Sequence, residues 1–132
     1  MDGSSPSAPG GRSLLTALDQ TAPVPPLAQR PPLDPDEASG IAALFKVLAN
    51  DTRLRLLHAL ARGGEVRVSD LATQIGMTQQ AVSNQLQRLV DQRIVATRRD
   101  GNNVYYRIVD ACVPALLELG WCLLDTTRST TR

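Results

Sequence analysis

Cysteine, histidine, aromatic side chains and long apolar runs are all scarce in this chain. Of its 132 residues two are Cys and one is His, and Phe, Trp and Tyr together make up 3%. Two thiols, Cys112 and Cys122, exclude a disulfide-built scaffold. A single histidine and scattered acids leave no nucleophile beside a recognisable base. There is also no glycine-rich phosphate loop, so the sequence carries no enzyme signature. No stretch approaches the roughly eighteen apolar residues of a membrane span. The first residues lack the charged start and apolar middle of a signal peptide, and a cytoplasmic protein is the expectation. Lysine is nearly absent as well, since every cationic residue but Lys46 is arginine.

The formal net charge of +1 hides an uneven distribution. Residues 1–37 hold two arginines against five acids, whereas residues 38–132 hold twelve cationic residues against eight acids. Between Thr78 and Arg107 five arginines face only Asp91 and Asp100. A local basic stripe of this kind is what a phosphate backbone attracts, and arginine adds bidentate geometry.

Three regions follow from composition: an arm over 1–36, a domain over 37–127 and a short tail over 128–132. The arm is rich in Pro, Gly and Ser, and prolines at 6, 9, 23, 25, 26, 31, 32 and 35 interrupt any long element. Within it Ser13 to Gln20 places Leu14, Leu15 and Leu18 on one side of two helical turns, either as transient structure or as a docking segment.

In the domain, Ile41, Leu44, Phe45 and Leu48 predict a helix from about Asp36 with one buried face. Asp51 then caps a helix over Thr52–Ala61 with Leu54, Leu57 and Leu60 inward, and Gly63-Gly64 ends it. Val66 to Val68 adds a short strand. Ser69 or a neighbour caps a third helix carrying Leu71, Ala72 and Ile75, and Gly76 supplies a tight turn. Thr78 caps a fourth helix, buried through Val82, Leu86 and Leu89. Its opposite face bears Gln80, Asn84, Gln87 and Arg88, where a solvated helix would carry Glu and Lys. Amides read adenine edges and arginine reads guanine. Strands over Ile94–Arg99 and Val104–Val109 flank the turn Asp100-Gly101-Asn102-Asn103, a hairpin whose tip holds Asn, Arg and Asp rather than aromatics. A last helix over Ala111–Asp125 is apolar around most of its circumference and needs a second subunit to cover it.

The segments LFKVLANDTRLRLLHAL, EVRVSDLATQIGMTQQAVSNQLQRLVDQRIV and RRDGNNVYYRI, in this order, resemble the ArsR/SmtB family of bacterial repressors over about residues 38–125. The resemblance implies a mainly helical winged helix-turn-helix: four helices, a small β-hairpin and a fifth helix. It further implies a homodimer through the first and last helices, bound to a palindromic operator in double-stranded DNA. Carried over residue by residue, Thr78, Gln79, Gln80, Ser83, Asn84 and Gln85 fall in the base-reading segment. Arg88 meets phosphate or a base edge, and Arg98, Arg99, Asn102 and Asn103 form the wing tip. The family often has His at the place of Gln85.

Family members commonly release DNA on binding a metal or on thiol oxidation. Their Cys-Val-Cys-Asp-Leu run corresponds to Arg67-Val68-Ser69-Asp70-Leu71, which lacks soft ligands. Their last-helix set begins Asp-x-His; Asp110 and Cys112 match that half, while Leu123 and Thr126 stand where its second half belongs. No cofactor is therefore required by the usual ligand sets. Cys112 and Cys122 remain, roughly 15 Å apart along one helix. They read as small hydrophobes, as redox-sensitive thiols paired across a dimer, or as soft-metal ligands from two subunits; constitutive DNA binding is the remaining case. His58 falls mid-helix and reads as structural. Set against the dimeric regulator is a winged helix that binds protein instead of DNA.

Overall fold

The computed structural model describes residues 26–130. The segment Ser13 to Gln20 lies outside them. The chain divides into two compact units, a winged unit over Pro31–Asp110 and a second one to which the last helix belongs.

The winged unit starts with α1 (Pro35–Leu48). Asp34 and Glu37 close a reciprocal capping box at 2.8 and 3.2 Å, and Pro35 fills the first helical position, which has no use for an N–H. Helix α2 (Asp51–Gly63) is capped by Asn50 rather than Asp51. The Asn50 Oδ1 accepts from the Arg53 N–H at 3.0 Å, while Asp51 lies inside the first turn. Its buried stripe is Arg53, Leu56, Leu57 and Leu60; Leu54, expected inward, is 37% exposed. The apolar period at this point runs through an arginine, and that shifts the face by one residue.

Strand β1 (Glu65–Arg67) leads directly into α3 (Val68–Ile75). No side chain caps α3; instead Arg67 pairs with Asp70 in its first turn at 3.2 Å. Gly76, at φ 80°, turns the chain through Met77 to Thr78. Helix α4 (Gln79–Asp91) follows, with Thr78 Oγ1 accepting from the Ala81 N–H at 3.1 Å. Strands β2 (Val95–Asp100) and β3 (Asn103–Ile108) form the hairpin, and Gly101 takes the positive φ at the first position of the two-residue turn. Strand β1 joins the other side of β3, giving a three-stranded antiparallel sheet in the order β1-β3-β2.

Leu56, Leu57 and Leu60 of α2, Leu71 of α3, and Val82, Leu86 and Leu89 of α4 are all fully buried. Each such side chain contributes about 1.5–3 kcal/mol of burial. Three of them lie on α4, so its inner face is locked and its outer face is held at a fixed orientation. In contrast, α1 buries only Leu48, leaving Ile41 and Phe45 exposed. The buried face expected for α1 is therefore open in the single chain.

Helix α5 (Cys112–Thr130) runs about a turn beyond the expected end. Ala115 is buried, but Leu116, Leu119, Trp121, Leu123 and Leu124 are exposed. No helix among the described residues is long and apolar enough to cross a membrane.

Candidate nucleic-acid interface

Gln79, Gln80, Asn84 and Arg88 are exposed on the outer face of α4, and Ser83 is half-buried beside them. Gln80 Nε2 donates to Asn84 Oδ1 at 3.1 Å, one helical turn apart. The pair leaves the Gln80 carbonyl oxygen and the Asn84 NH2 group outside that bond, an acceptor and a donor on exposed side chains. Gln87, on the same side, donates to Asp91 at 2.9 Å. Thr78 sits at the helix start with its hydroxyl used as the cap. Gln85 is placed differently from its neighbours: it is half-buried, and its Oε1 accepts from Arg53 Nη1 at 2.8 Å.

The wing holds its arginines in two ways. Arg98 is mid-strand on β2, and its guanidinium makes a bidentate contact with the Glu65 carboxylate at 2.8–3.1 Å. It lies over the Tyr105 ring at 4.5 Å on the way, so it spans β3 to join the two edge strands. Arg98 also meets Asp100 at 3.9 Å. The hydrogen bond from Arg98 is the main cause that holds the Glu65 carboxyl below its ordinary range. Desolvation works against it, and the Arg98 and Arg107 charges add to it. Arg99, Asn102 and Asn103 are exposed at or near the tip. Arg88, Arg93 and Arg99 make no salt bridge among the described residues.

Two features escaped the sequence reading. Arg53 is buried, although an arginine on a helix ordinarily reads as surface; its fit to the period of Leu56, Leu57 and Leu60 was the available signal. The Glu65–Arg98 pair spans 33 residues and had no local signal. His58 is exposed and lines an open groove of about 600 Å³ with Arg55, Arg62 and Gln74, apart from the outer face of α4.

Cys112 is half-buried at the start of α5, and Cys122 is exposed further along it; neither is in a disulfide. Ten residues of helix separate the two sulfurs by roughly 15 Å along the axis. One chain therefore cannot close a chelate with both. Among the described residues no group of three His, Cys, Asp or Glu side chains can hold a metal ion.

A short helix, a three-residue turn, a second helix with polar side chains outward and a β-hairpin define a winged helix-turn-helix. Comparison with known proteins narrows the class. A profile described as MarR family matches residues 50–103, the stretch from α2 into the wing. The chain is 48% identical over 75 residues to a transcriptional repressor SmtB homolog of Synechocystis sp., a match covering 57% of this chain and 56% of that relative. The crystal structure of the AntR antimony-specific transcriptional repressor superposes with TM-score 0.70 and 56% identity, covering 82% of this chain and 97% of the other. The homodimeric winged helix-turn-helix DNA-binding domain Mb0332 of Mycobacterium bovis superposes with TM-score 0.66 and 33% identity, covering 79% and 95%.

The chain belongs to the ArsR/SmtB family of winged helix-turn-helix transcriptional regulators, a family without enzymatic activity. Members of this family sense metals or metalloids.

Proposed function

We propose that the chain is a homodimeric repressor that reads a two-fold operator in double-stranded DNA through α4. The observation that carries this reading is the outer face of α4: uncharged amides and one arginine over Gln79 to Arg88, with an acid, Asp91, only at the far end, held outward by three fully buried side chains. In this reading Gln79, Gln80, Ser83 and Asn84 face base edges, and Thr78 and Gln85 flank them. Arg88, Arg99, Asn102 and Asn103 meet the backbone, and Arg98 fixes the wing against β1. The exposed apolar faces of α1 and α5 give the dimer its contact surfaces, as the homodimeric relative supports. A selection of bound duplexes from a random pool tests it. The expected product is a two-fold sequence whose affinity falls linearly with the logarithm of salt concentration. Enrichment of no sequence, with binding indifferent to salt, would favour the protein-binding winged helix.

For the effector we propose a thiophilic metalloid or oxidant acting on Cys112 and Cys122 from two subunits. The AntR likeness and the separation of the two thiols along α5 favour this reading. Replacing both cysteines with serine is expected to leave apo DNA binding intact and to abolish release by antimonite. Unchanged release in that variant would leave the thiols without a sensing role.

A further inference from the structure

Arg53 is the only buried charged side chain among the described residues, at 9% exposure. Its guanidinium bonds two other elements: Nε donates to the Val47 carbonyl in the last turn of α1 at 2.6 Å, and Nη1 donates to Gln85 Oε1 on α4 at 2.8 Å. It has no carboxylate partner among the described residues. A buried cation held only by neutral oxygens keeps those oxygens, because losing either one leaves an N–H bond to the interior unmet.

The consequence falls on Gln85. Arginine has five N–H donors and no acceptor, so the carboxamide must turn its oxygen toward Arg53 and its NH2 group away. Glutamine recognises adenine in the major groove by using both ends at once, Nε2 to N7 and Oε1 from the N6 amino group. With Oε1 drawn inward against Arg53, the two Nε2 hydrogens are the groups turned away from the guanidinium and offered to a duplex. They suit an acceptor edge: guanine N7 or O6, thymine O4, or adenine N7 alone.

We propose that Arg53 is a positioning residue that makes Gln85 a donor-only reader, so that this position of α4 selects a base by its acceptors and not by adenine's donor–acceptor pair. The proposal rests on the DNA-binding reading above and deepens it. It separates Gln85 from Gln80 and Asn84, whose remaining groups include both a donor and an acceptor.

The test uses the full chain and random-duplex selection for wild type, Gln85→Ala and Arg53→Met. Gln85→Ala is expected to erase preference at one position of each half-site, which identifies the base Gln85 reads. At that position the wild-type protein is expected to lose roughly five-fold in affinity when the contacted acceptor is removed, for instance with a 7-deazapurine. Removing an N6 amino group there is expected to change nothing. Arg53→Met is expected to release the amide oxygen and bring in adenine at that position alone. A uniform loss across all duplexes, with every preference unchanged, would make Arg53 merely structural and overturn the proposal. If Arg53→Met does not fold, the atom-replaced duplexes decide with the wild-type chain: sensitivity to loss of the N6 amino group means Gln85 reads with its oxygen, which overturns it. Preferences that survive Gln85→Ala at every position would also overturn it. A wild-type selection that enriches no duplex would instead overturn the DNA-binding reading, an outcome distinct from any of these.

Discussion

Each helix of the helix-turn-helix is followed by a residue in left-handed backbone, Gly76 after α3 at φ 80° and Arg93 after α4 at φ 62°. The second ending is a Schellman arrangement. The Arg93 N–H reaches the Val90 carbonyl and the Ile94 N–H reaches Leu89, each at 2.9 Å. A side chain in this region costs about 1–2 kcal/mol, and glycine avoids that at an entropic cost of about 0.5–1 kcal/mol. Gly76→Ala is therefore expected to destabilise the protein by about 0.5–1 kcal/mol, and Arg93→Gly to stabilise it by about 0.5–1 kcal/mol, both read by urea unfolding. Equal stability in both variants would contradict this account of the turns. Residue-scale legibility divides along the same line. Gly76 and the Thr78 cap were readable because each acts on its own backbone neighbours. The burial of Arg53 was not, because it depends on acceptors from α1 and α4 that only the assembled fold brings to it.

Among the elements, the wing depends on one long-range ion pair and α4 on apolar contact. Glu65 and Arg98 join the two edges of the sheet across Tyr105. Because the folded Glu65 carboxyl titrates below its ordinary value, its contribution is complete above the unfolded value near about pH 4.3. That contribution fades as pH falls through the lowered folded value. The Tyr105 ring resonances, followed by NMR during acid titration, are expected to shift with a midpoint below the ordinary carboxylate range. They are expected to lose that transition in Glu65→Gln. An unchanged titration in the variant would show that the pair does not hold the wing. For α4, Leu86→Ala is expected to cost about 2–5 kcal/mol in unfolding free energy, whereas Gln87→Ala on its outer face is expected to change stability little. The helices and the hairpin were legible because periods of 3.6 and 2 survive in the sequence. The third strand, β1, was legible only as a short strand over Val66 to Val68, one residue later than the observed Glu65–Arg67, since its pairing partner β3 lies some forty residues further along.

At the scale of the whole molecule, two helices carry more apolar surface than the single chain covers. Ile41 and Phe45 on α1, and Trp121, Leu123 and Leu124 on α5, are all exposed. The apolar circumference of α5 was visible in the sequence; that α1 is also left open followed only from the family resemblance, because its own period looked like that of any core helix. Phe45→Glu combined with Leu124→Glu is expected to convert a dimer to a monomer in sedimentation velocity and to weaken operator binding in step. A variant that stays dimeric would place the subunit contact elsewhere. The chain's central feature is nonetheless the polar side of α4. Its most direct test is the affinity of Gln80→Ala/Asn84→Ala for the selected duplex and for random DNA, measured side by side. The account predicts a loss of roughly 2–6 kcal/mol on the selected duplex, with random DNA bound almost as before. An equal loss on both would contradict base reading by these amides.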